Sequence, residues 1–499
     1  MKTPYIGDRV GRLYHAADRG ASPQRSSNLK VRRTREQPAH GNGPAQHVNR
    51  RRLGSTQRNG IRSEGHRARH QASVGLLSTV ERIRCTIDVT RGGRFGRCRQ
   101  DQEGKLDTTM TYDFDKIIDR KQFESIKWHR YGEDVLPMWV ADMDFEAPAP
   151  VIRALQERVE HGVFGYGKAP DELPEVVVER LRDRYNWQVS PEALIFLPGV
   201  VPGFNLTCHA VASPGEGVLI QTPIYYPILH APGEAGLTND EMALTRGADG
   251  TYEIDFDLME RTISERTRVF ILCNPHNPVG RVFRRDELER MADVCLRNNI
   301  IICSDEIHCD LVLDNNVHIP IASLSPEVGQ QTVTLMAPSK TYNIAGLKCS
   351  VAIVENPELR KRLCSTYQGL MSSVNILGYT AALAAYRDGQ PWLDAALRYL
   401  ELNRDYVFDF VRRDLPGVRM ANPEGTYLAW LSCHESAIRG NPHEFFLKQA
   451  RVALNDGAAF GGGGEGFVRL NFGCPRSTLV EGLRRMKQAL SDLSTTQSA

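Results

Sequence analysis

From about residue 162 onward, short apolar runs alternate with amphipathic stretches. The runs fall at 217–220, 269–272, 300–303, 333–336 and 349–354, each rich in Val, Ile and Leu and without strict polar alternation. A strand covered on both faces needs such a run, because neither face is left to water. Between the second and third runs, RRDELERMADVCLRNN sets Leu288, Met291, Ala292 and Cys295 at helical spacing. Strands alternating with helices predict an α/β architecture: a mainly parallel sheet with helices on both sides. After about residue 394 the texture changes to a long helical stretch at 397–413, short strands near 427–431 and 467–472, and a closing helix from Ser477. That pattern predicts a second, smaller α+β unit. No internal repeat is visible.

Composition changes the picture in one place. The formal charge of +2 hides a division: residues 1–109 hold 20 Arg and 3 Lys against 9 acidic residues, a balance of +14, and the remainder carries −12. The first segment has almost no periodic apolar pattern, so it is expected to be disordered and dispensable for catalysis. An Arg-rich arm for nucleic acid and a transit peptide are two readings of it. The favoured reading is upstream sequence read through from an early start codon, since Arg so outnumbers Lys and Met110 opens a segment of different composition. The 11 cysteines include no CxxC pair, which suggests neither a disulfide framework nor a zinc site. No apolar run approaches a membrane span and no signal-peptide core is present, so a cytoplasmic protein with no membrane partner is expected.

The unusual polar sequences directly follow the apolar runs: TPIYYP, NPHNPVG, SDEIHCD and APSK. In open α/β sheets ligands bind at the carboxyl ends of the strands, so these four signals converge on one site. Lys340, directly after a buried strand, is poorly placed to solubilise the surface and well placed as a partly desolvated amine nucleophile. Asp305, at a sheet end, would tolerate burial only against a cation, or would N-cap a helix. Tyr225 and Tyr226 read equally as core aromatics or as a stacking platform. With the amide of Asn277, the amine, carboxylate and aromatic form a constellation able to hold pyridoxal phosphate. Its phosphate would find backbone N–H donors in LPGVVPGFN, where a Gly turn precedes a helix start. Gly461, Gly463 and Gly466 satisfy GxGxxG only formally, because a strand follows where a dinucleotide site needs a helix. His308 and His318 have no metal-ligand spacing with Asp305 or Asp310, and no metal is expected.

In this order, NPHNPVG, SDEIHCD, APSKTYNIAGLK and GEGFVRLNFGCPR resemble the class I/II aminotransferase family of fold-type I pyridoxal-phosphate enzymes. MWVADMDF, GYG and PIYYP are similar more narrowly to its cystathionine β-lyase branch, the MalY/PatB-type C–S lyases. The resemblance covers about residues 110–490. It implies a large domain with a mainly parallel seven-stranded sheet at 161–393, a small domain at 394–492, and an N-terminal arm at 110–160 that shares in the small domain.

Carried over by position, the resemblance makes Lys340 the Schiff-base lysine and Asp305 the partner of the ring nitrogen. Asn277 and His308 become partners of the ring hydroxyl, Tyr225 the stacking ring, and Tyr226 a catalytic neighbour of the substrate. Gly199, Val200, Val201 and Ser339 would contact the phosphate, Tyr166 would reach the phosphate of the other subunit in a homodimer, and Arg469 would clamp the substrate carboxylate. Lys348 stands where the aminotransferases proper place an Arg. The activity implied is cleavage of cystathionine or related cysteine S-conjugates to a thiol, pyruvate and ammonia. An aminotransferase is the alternative, and a regulator that keeps the cofactor site is a further one.

Overall fold

The structure, a computed structural model, describes residues 112–498. The expectations for residues 1–109 therefore lie outside the described residues. The apolar runs form the centre of a seven-stranded sheet. Its strands are β1 (Leu194–Leu197), β2 (Gly217–Thr222), β3 (Thr238–Ala243), β4 (Thr267–Cys273), β5 (Ile301–Asp305), β6 (Thr332–Met336) and β7 (Ser350–Ile353). The spatial order is β1-β7-β6-β5-β4-β2-β3. β2, β3, β4, β5 and β6 pair in parallel, and β7 runs antiparallel to both β1 and β6. Every residue of β2, β6 and β7 is buried, as strands sandwiched between helices must be. β3, reading TNDEMA, is a polar strand at the sheet edge, and only Met242 in it is buried. The predicted amphipathic helix spans Arg285–Arg297 and buries Leu288, Met291, Ala292 and Cys295, while Glu287 accepts a hydrogen bond from the Arg284 N–H across its first turn at 2.8 Å.

The second texture is also present. β8 (Leu428–Ser432), β9 (Asn455–Asp456) and β10 (Phe467–Asn471) form an antiparallel sheet in the order β8-β10-β9, with helices Gln390–Asp414 and Arg476–Ser498. One apolar core joins these elements to the start of the described chain: Phe114, Met138, Met143 and Phe145 pack with Trp392, Leu400, Leu470, Phe472 and Met486. No helix among the described residues is long and apolar enough to cross a membrane.

The segment 138–145 is held by a buried charge cluster. Lys127, almost wholly buried, lies 2.7 Å from Asp144 and 3.5 Å from Asp142, and Arg120 lies 2.7 Å and 2.8 Å from the same two carboxylates. A side-chain N–H of Trp128 donates to Asp144 at 3.1 Å. Burial disfavours the Lys127 ammonium, yet the two carboxylates outweigh it and its pKa is raised. Removing one member of such a set strands charge away from water. Lys127→Ala should therefore cost about 3 kcal/mol of unfolding free energy, the low end for a broken buried pair because Arg120 still faces both carboxylates. Urea denaturation measures this. A loss below about 0.5 kcal/mol, the scale of an exposed pair, would mean that water reaches the cluster.

Candidate active site

Because β2, β4, β5 and β6 are adjacent and parallel, their carboxyl ends share one edge of the sheet, and the polar loops after them meet there. Asp305 ends β5, paired in register with Cys273 at the end of β4. Lys340 sits on the short helix Pro338–Thr341 just after β6, and Tyr225 is the N-cap of helix Tyr226–Glu234 after β2. Arg469 comes from the other sheet, in β10, and crosses to donate to Asn277 Oδ1 at 2.8 Å. It also donates to the Trp139 carbonyl at 3.1 Å and to Asn455 Oδ1 at 2.5 Å, and its guanidinium lies 4.9 Å over the Phe460 ring. Tyr226 meets Phe460 edge-on, with Tyr225 5.1 Å from Tyr226. The Lys340 amine donates to the Ala141 carbonyl at 2.6 Å.

The charges here are poorly compensated. Burial raises the pKa of Asp305 to about 7, against which the Ile307 N–H and the nearby Lys340 do too little. Burial lowers Lys340 to about 8; Arg469 adds to that, and Asp142 and Asp305 oppose it. Burial likewise lowers Arg469 to about 10. The oxygens that accept from the guanidinium are amide and main-chain carbonyls, with no carboxylate among its hydrogen-bond partners in the described residues. Its Nε is buried with no hydrogen-bond partner in the described residues, as is Nδ1 of His308. His308 is held neutral, its pKa well below the usual value, by burial and by the Lys340 and Arg469 cations.

Buried networks fix the loops that carry these groups. Asp310 Oδ2 accepts from the Thr341 hydroxyl, next to Lys340, at 3.0 Å. Its Oδ1 accepts from Arg180 at 2.8 Å, from Tyr185 at 2.7 Å and from Arg184 at 3.0 Å. Burial pushes the Asp310 carboxyl up, but the two arginines outweigh it and hold the pKa at about 2. His276 faces the Pro223 carbonyl at 2.9 Å and the Cys273 carbonyl at 3.2 Å, tying the loop that leads to Tyr225 to the loop that carries Asn277. Burial keeps that imidazole neutral, with a pKa of about 4.

Sequence reasoning thus names residues that do gather: Lys340, Asp305, Asn277, His308, Tyr225, Tyr226 and Arg469. Gly199 is the N-cap of helix Val200–Val211 after β1, with φ +143°, a conformation that side chains rarely adopt. Val200 and Val201 open that helix. Within it, a Cβ on Gly203 would stand 2.8 Å from a Leu335 methyl, so the helix lies tight under the strand leading to Ser339 and Lys340. Tyr166 is apart from the cluster, wholly exposed in the segment before helix Glu172–Tyr185. Lys348 is exposed as well, in a left-handed backbone conformation. Sequence reasoning did not single out Ala141, Asp142, Asn471 or Tyr427. Asn471 donates to the carbonyls of Val140 at 2.5 Å and Asp142 at 2.7 Å, so it helps lay the 138–145 segment against Lys340. Its signal was its place two residues after Arg469 on β10, on the same face of the strand.

Residues 133–486 match the family model of the class I and II aminotransferases. Cystathionine beta-lyase PatB of Bacillus subtilis is 40% identical over 76% of this chain and all of its own. The solved structure of OvoB is 45% identical, with a TM-score of 0.73, over 76% of this chain and 99% of that one. Cystalysin from Treponema denticola, solved with a pyridoxal 5′-phosphate cofactor, is 34% identical with a TM-score of 0.74, over 77% of this chain and all of that one.

The depressed pKa of Lys340 predicts its reactivity. A base whose pKa falls from 10.5 to about 8 is neutral, and so nucleophilic, from a lower pH upward. In cofactor-free protein, acylation of Lys340 followed by peptide mass analysis should rise with pH around a midpoint near 8. A midpoint near 10.5 would mean that the amine is solvated.

Proposed function

The chain belongs to the aminotransferase class I and II family, and from that premise we infer that it is a pyridoxal 5′-phosphate-dependent C–S β-lyase acting on cystathionine or related cysteine S-conjugates. The buried groups fit this cofactor. Asp305 is a carboxylate short of a cation, which a pyridinium nitrogen supplies. The unpartnered Nδ1 of His308 and the amide of Asn277 suit a ring hydroxyl, and Tyr225 suits the ring face. The helix start at Gly199, Val200 and Val201, together with Ser339, suits a phosphate. The observation that carries the reading is Arg469: a buried guanidinium without a carboxylate partner among the described residues, beside a lysine of lowered pKa, awaits a substrate carboxylate.

When bound, the cofactor supplies an aldehyde carbon that links to an amine and a pyridinium ring that accepts the electron pair left at Cα. Asp305 would face the ring nitrogen and hold the proton there. Arg469 orients the substrate through its carboxylate, with Tyr226 and Phe460 beside it. Lys340 would take the Cα proton onto Nζ. Expulsion of the Cβ thiolate and hydrolysis then give thiol, pyruvate and ammonia, with one water consumed. The choice of elimination over amino transfer rests on the likeness to a cystathionine beta-lyase over the whole of that relative's length, since both reactions use the same Lys, Asp and Arg.

Pyruvate release from cystathionine, with keto-acid-dependent amino transfer measured beside it, tests the activity. Elimination should dominate, and Lys340→Ala should abolish it. Arg469→Lys should raise KM roughly ten- to a hundredfold, because one ammonium cannot make the two-pronged contact and a charged hydrogen bond is worth about 1.5 to 3 kcal/mol. Lost cofactor with unchanged substrate affinity would place Arg469 elsewhere.

We also propose a homodimer in the cytoplasm. Val163, Phe164 and Tyr166 are 61%, 58% and 112% exposed on one segment, a grouping that a second copy would cover. The nine described cysteines are all free thiols, which supports a reducing compartment. Mixing Tyr166→Phe with Lys340→Ala protein should restore activity in hybrid dimers, where one site takes Lys340 and Tyr166 from the two intact positions. Verified hybrids without recovery would place Tyr166 outside the partner's site.

A further inference from the structure

Tyr427 lies at the centre of the site. It precedes β8, is 1% exposed, and meets the His308 ring edge-on at 6.0 Å. Its phenol donates to the Ala141 carbonyl oxygen at 2.8 Å. That is the same oxygen to which the Lys340 amine donates at 2.6 Å. A carbonyl oxygen has two lone pairs, so the phenol fills one and leaves a single direction from which the amine can donate. Burial keeps the phenol protonated, its pKa well above the ordinary value, so that it acts here as a donor. The oxygen itself is fixed. Asn471 holds the carbonyls on either side of Ala141, and Asn343 makes paired hydrogen bonds with Met143, both at 2.9 Å.

We propose that Tyr427 is a positioning residue: by occupying one lone pair of the Ala141 carbonyl, its hydroxyl sets where the unlinked Lys340 amine stands and how its own lone pair points toward the Cα proton. This rests on the reading of Lys340 as the proton-removing base. The amine keeps one N–H on Ala141, which leaves its lone pair off the axis to that carbonyl. Without the phenol, both lone pairs of the carbonyl are open and the amine samples two orientations. The same geometry governs how fast the amine captures the cofactor aldehyde, a step that needs no substrate.

Tyr427→Phe keeps the ring against His308 and removes only the hydroxyl, and Tyr427→Leu removes the ring as well. Two rates decide the matter. One is the growth of visible absorbance when pyridoxal phosphate is added to cofactor-free protein; the other is exchange of the substrate Cα proton with deuterium in the loaded enzyme, followed by NMR. In Tyr427→Phe both should fall about three- to tenfold, the size of one net hydrogen bond, with the circular dichroism spectrum unchanged. A wild-type value for either rate in Tyr427→Phe overturns the proposal, and loss confined to Tyr427→Leu assigns the residue to packing alone. Should Tyr427→Phe fail to fold, Tyr427→Leu that folds and keeps both rates overturns it equally. Lys340→Ala run in parallel separates the two ideas: continued exchange there sinks the reading of Lys340 as base, whatever Tyr427 does.

Discussion

The cost of keeping charge away from water is the constraint on which this structure depends. Asp305, Lys340 and Arg469 occupy one buried edge of the sheet with fewer counter-charges than they need, and each has its pKa displaced toward the neutral form. A protein meets such a cost in one of two ways: it pairs the charges internally, or it leaves them for a ligand of complementary charge. Both are visible here. Around the edge, Asp310 is surrounded by Arg180, Arg184 and Tyr185. At the edge itself the pairing stops. The contrast between a carboxylate paired with two guanidinium groups and an edge short of counter-charges distinguishes a binding site from a structural ion network.

The parts of this arrangement legible in the sequence were those that burial forces into a local pattern. Strands sandwiched between helices are mostly apolar, so β2, β4, β5, β6 and β7 stood out as runs, and the polar loops after them marked the sheet edge. β3 did not stand out, because an edge strand has one free side and TNDEMA satisfies it with polar residues. Lys340, Asp305, Asn277 and Tyr225 were legible because each sits within a few residues of a strand end. Arg469 and the roles of the smaller residues came through resemblance to a family, since nothing local links β10 to the loop after β4.

Ala141 and Tyr427 escaped for a different reason. What Ala141 contributes is a carbonyl oxygen, which every residue carries, and its value comes only from the 199 positions of chain that fold back to set Lys340 against it. Tyr427 joins the same oxygen from 286 positions away. Side-chain chemistry announces itself in a sequence, but main-chain chemistry does so only through the residues that immobilise it. Here those are Asn343 and Asn471, amides able to donate to one carbonyl while accepting or donating again nearby.

This dependence on immobilised backbone explains why the charge cluster of Arg120, Lys127, Asp142 and Asp144 lies so close to the site without offering a free ligand group. Its ion pairs are mutually satisfied, so it adds no binding chemistry of its own. What it fixes is the path of the 138–145 segment, and with it the Trp139 carbonyl that Arg469 uses and the Ala141 carbonyl that Lys340 uses. A buried salt bridge is a poor source of net stability compared with apolar packing, because the desolvation of its charges offsets most of their attraction. Its directional geometry, however, specifies a position that apolar packing would leave looser. The segment therefore carries charged residues where an apolar core would be at least as stable, and the two site cations receive acceptors at fixed points in return.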